Sequence, residues 1–275
     1  MNLQLQGGCA LNRQGIIVIV FTLLVFLSPF AGAQQEALVV VPNDLTDIEG
    51  DTQNGLPINC GQFGNTSTRY QQAYLNSQIS GLPVEIKSIN FRLSEDRVEV
   101  PPVEIPNIQI NMSTTQAQPG NLSATFADNL GPIVTSVYSG PLTISAPACG
   151  PGPCPFSIPI PLQTPFMYDP ADGNLILDIR ISSCMGIINI SMDASETSEN
   201  LEITSRVTTG NFGGLGEDSP FGDLVNDTGL VTEFELTILP RISNVPTLSE
   251  WGLIAMAGVL GIIGLLAIRR KKVTA

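Results

Sequence analysis

The sequence predicts an all-β protein, an antiparallel β-sandwich of the jelly-roll type, preceded by an N-terminal signal helix and followed by a C-terminal transmembrane helix. Two observations indicate the sandwich. Apolar and polar residues alternate in several short segments between residues 69 and 245, and proline and glycine separate those segments. No segment in this interval keeps the 3.6-residue period of an amphipathic helix. Short alternating strands divided by turn signals are typical of antiparallel sheets that bury one face.

The clearest alternation lies in residues 89–93, 108–112 and 232–238, and residues 188–192 repeat it. Residues 175–181 alternate with one additional apolar residue, Ile176, which indicates a more central strand. Residues 34–68 show little regular pattern, so we predict a loop-rich segment that is either a mobile lead-in or an edge of the domain. The β-sandwich domain proper is placed at residues 69–245.

The first 33 residues resemble a secretory signal peptide in their charge and apolar pattern. Arg13 is the only charged residue before the apolar run at residues 16–30, and Ala31 and Ala33 are the small residues that signal peptidase accepts. We therefore predict cleavage after Ala33, with an uncleaved N-terminal anchor as the alternative.

Four cysteines remain after the predicted cleavage, and an even number in an exported chain indicates disulfides. Cys149 and Cys154 bound a turn-rich loop that could bring its own ends together, which leaves Cys60 to pair with Cys184. The spacing alone permits three pairings. Zinc is the alternative, but the chain has no histidine and no paired C-x₂-C spacing.

The C-terminal segment, residues 246–275, combines a short motif, an apolar stretch and a basic cluster. The motif comprises Val245, Pro246, Thr247, Leu248, Ser249, Glu250, Trp251 and Gly252. Thr247 lies three residues before Glu250, the spacing of a helix capping box, and Trp251 is a residue type that favours membrane interfaces. Residues 252–268 are predicted to be a transmembrane helix close to the minimum length for a bilayer. A basic stop-transfer cluster follows, formed by Arg269, Arg270, Lys271 and Lys272.

This combination resembles the IPTL-CTERM sorting domain, a relative of PEP-CTERM, with Val245 where that pattern usually has isoleucine. The resemblance implies that an exosortase-type membrane enzyme recognises the segment and cuts near the motif, so that this chain is a substrate. A second resemblance, to uncharacterised β-rich domains that precede PEP-CTERM-type tails, covers residues 69–240. It is carried by segments such as Arg69-Tyr70-Gln71-Gln72, and it implies no activity.

The charge and the missing histidine limit the possible activities. The chain carries 25 acidic and 12 basic residues, a net charge of −13, so nucleic acid is not expected as a partner. Without histidine, the Ser-His-Asp and Cys-His arrangements are excluded. We therefore expect no enzyme activity. The remaining alternative is a carboxylate-dependent glycoside hydrolase, with candidates at Glu95, Asp96, Glu99 and Glu104.

Three acidic loops are weak candidates for a cation such as calcium, and otherwise no cofactor is expected. One contains Asp218, Asp223 and Asp227 in a glycine-rich stretch. The second contains Asp44, Asp47, Glu49 and Asp51, whose spacing does not match an EF-hand loop. The third is the segment 168–174, which is predicted first as a tight turn that leads into a strand. Solvated loops are the favoured interpretation of the first two.

Together these features predict an exported protein that passes through an inner-membrane intermediate to the cell envelope, the cell surface or the extracellular matrix. Its β-domain is expected to have a structural or binding role. A carbohydrate-binding module that contacts extracellular polysaccharide is the first alternative. Against it, the single tryptophan of the chain, Trp251, lies in the sorting segment and not in the β-domain.

Overall fold

The computed structural model describes residues 34–184, 190–196, 203–209, 214–239 and 248–272. The chain divides into two compact units, Met1–Gln34 and Gln35–Ala275, and the described strands and helix belong to the second. The predicted signal peptide at residues 1–33, with its cleavage residues Ala31 and Ala33, lies outside the described residues.

The described residues form β-strands, short 3₁₀ turns and one α-helix. The strands are β1 (Gln35–Val41), β2 (Thr52–Asn54), β3 (Thr68–Tyr74), β4 (Val84–Phe91), β5 (Val100–Thr115), β6 (Val134–Ala146), β7 (Ile158–Tyr168), β8 (Asn174–Ile181), β9 (Met192–Ser195), β10 (Thr204–Thr208), β11 (Leu224–Asn226), β12 (Gly229–Leu230) and β13 (Thr232–Ile238). The 3₁₀ turns are Asn43–Leu45, Cys60–Phe63, Asn76–Gln78, Phe126–Asn129 and Pro170–Asp172. The helix is α1 (Leu248–Lys272). The predicted all-β class with a C-terminal helix is confirmed.

The strands pair into three sheets, and each strand pair among them is antiparallel. The four-stranded sheet has the order β1-β13-β4-β7, and the six-stranded sheet has the order β11-β10-β3-β8-β5-β6. A small sheet has the order β12-β9-β2. Strands that are neighbours in the sheets are mostly distant in sequence, so long-range contacts determine the arrangement.

The two larger sheets share one hydrophobic core. Most of its buried strand residues come from β4, β7 and β13 in the first sheet and from β3, β5, β6 and β8 in the second. Tyr74 and Phe234 join the sheets directly, since their ring centroids lie 5.1 Å apart in an edge-to-face arrangement. The Tyr74 hydroxyl also lies 3.0 Å from the Thr232 hydroxyl. This hydrogen bond gives the buried phenol a polar partner inside the apolar core.

The alternating segments form strands as predicted. Residues 89–91 end β4, residues 108–112 lie within β5, and residues 175–181 and 232–238 fall in β8 and β13. β8 lies between β3 and β5, which confirms its central position. Ile176, the extra apolar residue of this strand, packs with Phe126 in a second cluster. Of the predicted strand at residues 188–192, Met192 begins β9, while residues 188 and 189 lie outside the described part of the chain.

The lead-in at residues 34–68 belongs to the sheets, so the β-structure begins at Gln35 and not at residue 69. β1 pairs along its whole length with β13 at the edge of the four-stranded sheet. β2 pairs with β9 in the small sheet. Of the two possibilities that the sequence left open, the edge of the domain is the one observed. Val40 and Leu45 are buried against Val231 and Phe156, which anchors the segment.

The C-terminal helix α1 runs without interruption from Leu248 to Lys272. Within the part of the chain that the structure describes, no helix has the length and apolar character needed to cross a bilayer. The transmembrane helix predicted at residues 252–268, already at the minimum length, is therefore not supported.

Candidate functional site

The described part of the predicted sorting motif lies in the first turn of α1. Leu248, Ser249, Glu250, Trp251 and Gly252 are helical, and Trp251 is 54% exposed. Val245, Pro246 and Thr247 lie outside the described residues, so the capping box proposed for Thr247 and Glu250 stays a prediction. The helix nevertheless begins one residue after Thr247, where such a cap would place its start.

The basic cluster lies in the last turn of the same helix. Arg269, Arg270, Lys271 and Lys272 are all within α1, and the Arg269 side chain is exposed. Cations in a last turn interact favourably with the helix dipole. One continuous helix thus carries the described part of the motif at its start and the positive charge at its end.

The four cysteines form the two disulfides that their spacing favoured. Cys60 is bonded to Cys184 with the Cα atoms 5.6 Å apart, and Cys149 is bonded to Cys154 with the Cα atoms 5.8 Å apart. The first disulfide joins the 3₁₀ turn before β3 to the segment after β8. The second closes the loop between β6 and β7. These bonds assign a structural role to all four cysteines and oppose the zinc alternative.

Two acidic groups that are distant in sequence meet in one polar cleft of about 410 Å³. Its lining includes Glu49 and Asp51 from the lead-in, with Glu95 and Asp96 from the segment after β4. Glu49 accepts a hydrogen bond of 2.7 Å from the Glu95 amide, and Glu95 accepts one of 2.9 Å from the Gly152 amide. The carboxylates of Glu49 and Glu95 therefore hold neighbouring loops together. The other acids proposed with them, which lie elsewhere, are Asp44, Asp47, Glu99 and Glu104.

The weak calcium candidates do not gather at one place. Asp223 and Asp227 lie just before and just after β11, so their Cα atoms are roughly 13 Å apart along an extended strand. Asp218 instead lines a small polar cleft with Glu217 and Arg180. Burial is the main cause that raises the pKa of Glu217 and of Asp227. Among the residues open to description, no three His, Cys, Asp or Glu side chains are arranged to hold a metal ion.

Sequence reasoning missed a buried ion pair that fixes the lead-in. Arg92 is 1% exposed, and its Nε donates a 2.7 Å hydrogen bond to Asp193. Its Nη2 donates to the Leu45 and Ile48 carbonyl oxygens at 2.8 and 2.7 Å. The guanidinium also lies 4.9 Å from the centre of the Phe156 ring. Arg92 therefore joins the lead-in, the end of β4 and β9.

Asp193 completes this cluster from the other side. Its carboxylate accepts a 2.9 Å hydrogen bond from the Gly50 amide. A Cβ atom at Gly50 would lie 2.1 Å from the Ala194 carbonyl oxygen, so the chain can pass here only with glycine. Burial raises the pKa of Asp193 to about 6, although the positive charge of Arg92 acts in the opposite direction.

A second buried ion pair lies on the outer face of the six-stranded sheet. Arg69 donates two hydrogen bonds to Asp178, at 2.8 and 2.9 Å. The Arg69 guanidinium lies 4.4 Å from the centre of the Phe126 ring, which covers it. The segment around Phe126 thus shields part of this face from water.

A cleft of about 650 Å³ lies near the ends of β5 and β7, which belong to different sheets. Its lining residues are Thr114, Thr115, Gln116, Gly131, Pro132, Ile133, Thr135, Pro165, Phe166, Met167, Asp169 and Asp172. Ile133 is 72% exposed and Met167 is 59% exposed. Burial, together with the charges of Asp169 and Asp172, raises the pKa of the neighbouring Tyr168. The cleft is therefore apolar in its walls and negative in its charge.

Comparison with known proteins identifies a family motif in the C-terminal segment of the chain. The family model of the IPTL-CTERM motif matches residues 245–270. No curated protein matches the chain. The match covers the described first turn of α1 and reaches the basic cluster at its end. The chain therefore carries an IPTL-CTERM motif at residues 245–270.

Proposed function

We propose that this protein is exported and delivered to the cell envelope through its IPTL-CTERM motif, where its β-domain has a structural or binding role. The observation that carries the proposal is the family match at residues 245–270. An exosortase-type enzyme recognises the motif and cuts the chain near it. Signal peptidase removes residues 1–33 on the way.

The disulfides support the exported location. Two disulfides in one domain are typical of oxidising compartments and rare in the cytosol. The longer one connects parts of the chain that are 124 residues apart. A domain with this framework is suited to the outside of the cell, where the glutathione of the cytosol does not reduce it.

The strand order supports a jelly-roll domain. The order β1-β13-β4-β7 in one sheet and β3-β8-β5-β6 in the other is that of two interleaved Greek keys. β10 and β11 extend the second sheet, and β2, β9 and β12 form the additional small sheet. Jelly rolls commonly serve as capsid and lectin domains, so the architecture is suited to assembly or binding. We expect no catalysis, because the carboxylates of Glu49 and Glu95 bind backbone amides.

The sorting proposal is tested by substitutions in the motif. In the native host, Pro246→Ala and Trp251→Ala are expected to leave the protein uncleaved, because the enzyme recognises the motif directly. Met256→Leu is the matched control in the same helix, because it lies outside the short segment 245–252 that the enzyme is proposed to recognise. Mass spectrometry of the mature termini measures the outcome. Normal processing of both motif variants would refute the proposal.

Carbohydrate binding is the second candidate role. The polar cleft beside Arg180 has a volume of about 190 Å³ and is also lined by Asn107, Gln109, Ser182, Glu217 and Asp218. Amide, carboxylate and guanidinium groups of this kind can bind the hydroxyl groups of a sugar. Binding of the full chain to a polysaccharide panel, compared with Gln109→Ala, tests this role. Failure of the full chain to bind any polysaccharide of the panel would exclude the carbohydrate-binding role.

A further inference from the structure

The residues that line the 650 Å³ cleft belong neither to the sorting segment nor to the two disulfides. Its floor is Phe166, which is 5% exposed, and its walls include Ile133 and Met167, which are largely exposed. Large apolar side chains that face water in a concave place are typical of binding sites. The volume also lies within the range of about 300 to 1,000 Å³ that is common for small-molecule sites.

The charge of the cleft restricts the ligand. Among its described lining residues, Asp169 and Asp172 are the charged ones, and none is a lysine or an arginine. The ion pairs within the described part of the chain involve neither of these aspartates. Asp169 accepts one hydrogen bond of 3.0 Å from the Ala171 amide, which leaves its second oxygen available to a ligand. The described lining thus offers negative charge without a counterion of its own.

The local backbone holds both carboxylates in place. The Gln116 side chain donates a 2.8 Å hydrogen bond to the Asp172 carbonyl oxygen, and the 3₁₀ turn Pro170–Asp172 connects the two aspartates. The Tyr168 hydroxyl donates a 2.9 Å hydrogen bond to the Gly173 carbonyl oxygen just beyond this turn. The rim is therefore fixed to β5 on one side and to the end of β7 on the other.

We propose that this cleft binds an organic cation, with an ammonium or guanidinium group at Asp169 and Asp172 and an apolar body against Ile133, Phe166 and Met167. The inference rests on the proposed binding role and names its ligand class. An anion would meet two carboxylates with no compensating positive charge in the described lining. A sugar would lack an exposed aromatic ring on which to stack, because Phe166 is almost fully covered.

Calorimetry with the full chain tests the site with three probes of nearly equal shape. These are 2-phenylethylammonium, the neutral 2-phenylethanol and the anion phenylacetate. The cation is expected to bind saturably and at least about tenfold more tightly than the alcohol, while phenylacetate shows no binding. Raising the salt concentration should weaken the binding of the cation and leave the binding of the alcohol unchanged, because salt screens charge.

Substitutions separate the two parts of the site. Asp172→Asn should lower the affinity for the cation about tenfold without changing that for the alcohol, and Ile133→Ser should weaken both. Asp44→Asn, an exposed acid elsewhere, is the control. Equal binding of the three probes, no saturable binding, or equal effects of Asp172→Asn and Asp44→Asn would overturn the inference. The sorting proposal would be unaffected, because processing of the termini is measured separately.

Discussion

Arg92 shows how one buried charge can hold a segment that otherwise lacks regular structure. The residue follows β4 and contacts the carbonyl groups of Leu45 and Ile48 as well as Asp193. A buried charge is tolerated only when it is paired and its remaining hydrogen-bond donors are satisfied. Arg92 meets this condition by using the lead-in as a partner.

We therefore expect Arg92→Met to lower the free energy of unfolding by about 3 to 5 kcal/mol, because Asp193 would remain buried without its counterion. Urea denaturation of the full chain measures the loss. Lys87→Met is the matched control, since Lys87 pairs with Glu36 at an exposed site and such pairs contribute little. Adding Asp193→Leu to Arg92→Met should recover part of the stability. Equal effects of the two single variants would contradict the role of Arg92.

The raised pKa of Asp193 predicts a pH effect with a definite sign. The native state binds the proton more strongly than the unfolded state, whose aspartate keeps its ordinary pKa near 3.8. The stability that the protonation of Asp193 gives to the native state is therefore present at low pH and is lost as the pH rises through about 6. Asp193→Asn removes the titration. The stability of this variant relative to the wild type should rise between pH 4 and pH 7, and parallel pH profiles would contradict the expectation.

The sequence misidentifies the surroundings of Arg92 for a physical reason. In residues 89–93 the polar positions alternate with apolar ones, and this pattern assigns Asn90 and Arg92 to a solvent-facing side. Alternation reports which residues share a face but not what covers that face. Here the lead-in and β9 cover it, through contacts that are about 45 to 100 residues away in sequence. Only the folded structure shows such partners.

At the level of elements, the two disulfides differ in the length of chain that they close. Cys60 and Cys184 are 124 residues apart, whereas Cys149 and Cys154 are 5 residues apart. Loop-closure entropy predicts that the longer loop restricts the unfolded chain more strongly. The first disulfide should therefore contribute more to stability than the second.

Replacing Cys60 and Cys184 together by alanine is expected to cost about 4 to 5 kcal/mol, and replacing Cys149 and Cys154 about 2 kcal/mol. Paired replacement avoids leaving a free thiol in either variant. Thermal unfolding of the full chain measures both losses against the wild type. A larger loss in the Cys149 and Cys154 variant would show that loop closure is not the main contribution of these bonds.

The strands with a clear alternation of apolar and polar residues could be predicted from sequence, whereas the long strands β6 and β7, which contain proline, and the shortest strands could not. β4, β5, β8 and β13 contain enough alternating residues to show a period of two. β2 and β12 have only three and two residues, and each is a strand because of its pairing with β9. The acidic candidates were likewise visible as residue types, but their separation into different loops depends on the pairing. The apolar cleft carries no sequence motif, because its residues come from three separate segments.

At the level of the whole molecule, the core makes the two larger sheets depend on each other. Tyr74 and Phe234 occupy facing strands, and both are fully buried. Because one continuous core joins the two larger sheets, we expect them to unfold in a single transition. A cavity created in one sheet should therefore destabilise the other sheet as well.

Phe234→Ala tests this coupling by hydrogen exchange. The substitution removes the ring from the shared core and is expected to cost about 3 to 5 kcal/mol. The slowest amides should then exchange roughly 100-fold faster or more, in β3 and β8 as well as in β13, because global unfolding exposes them all. Phe234→Leu should accelerate exchange in the same strands by a smaller factor. Leu38→Ser, at an exposed position of β1, should change the exchange rates of neither sheet. Acceleration confined to β13 and its neighbours β1 and β4 would show that the four-stranded sheet opens independently of the other.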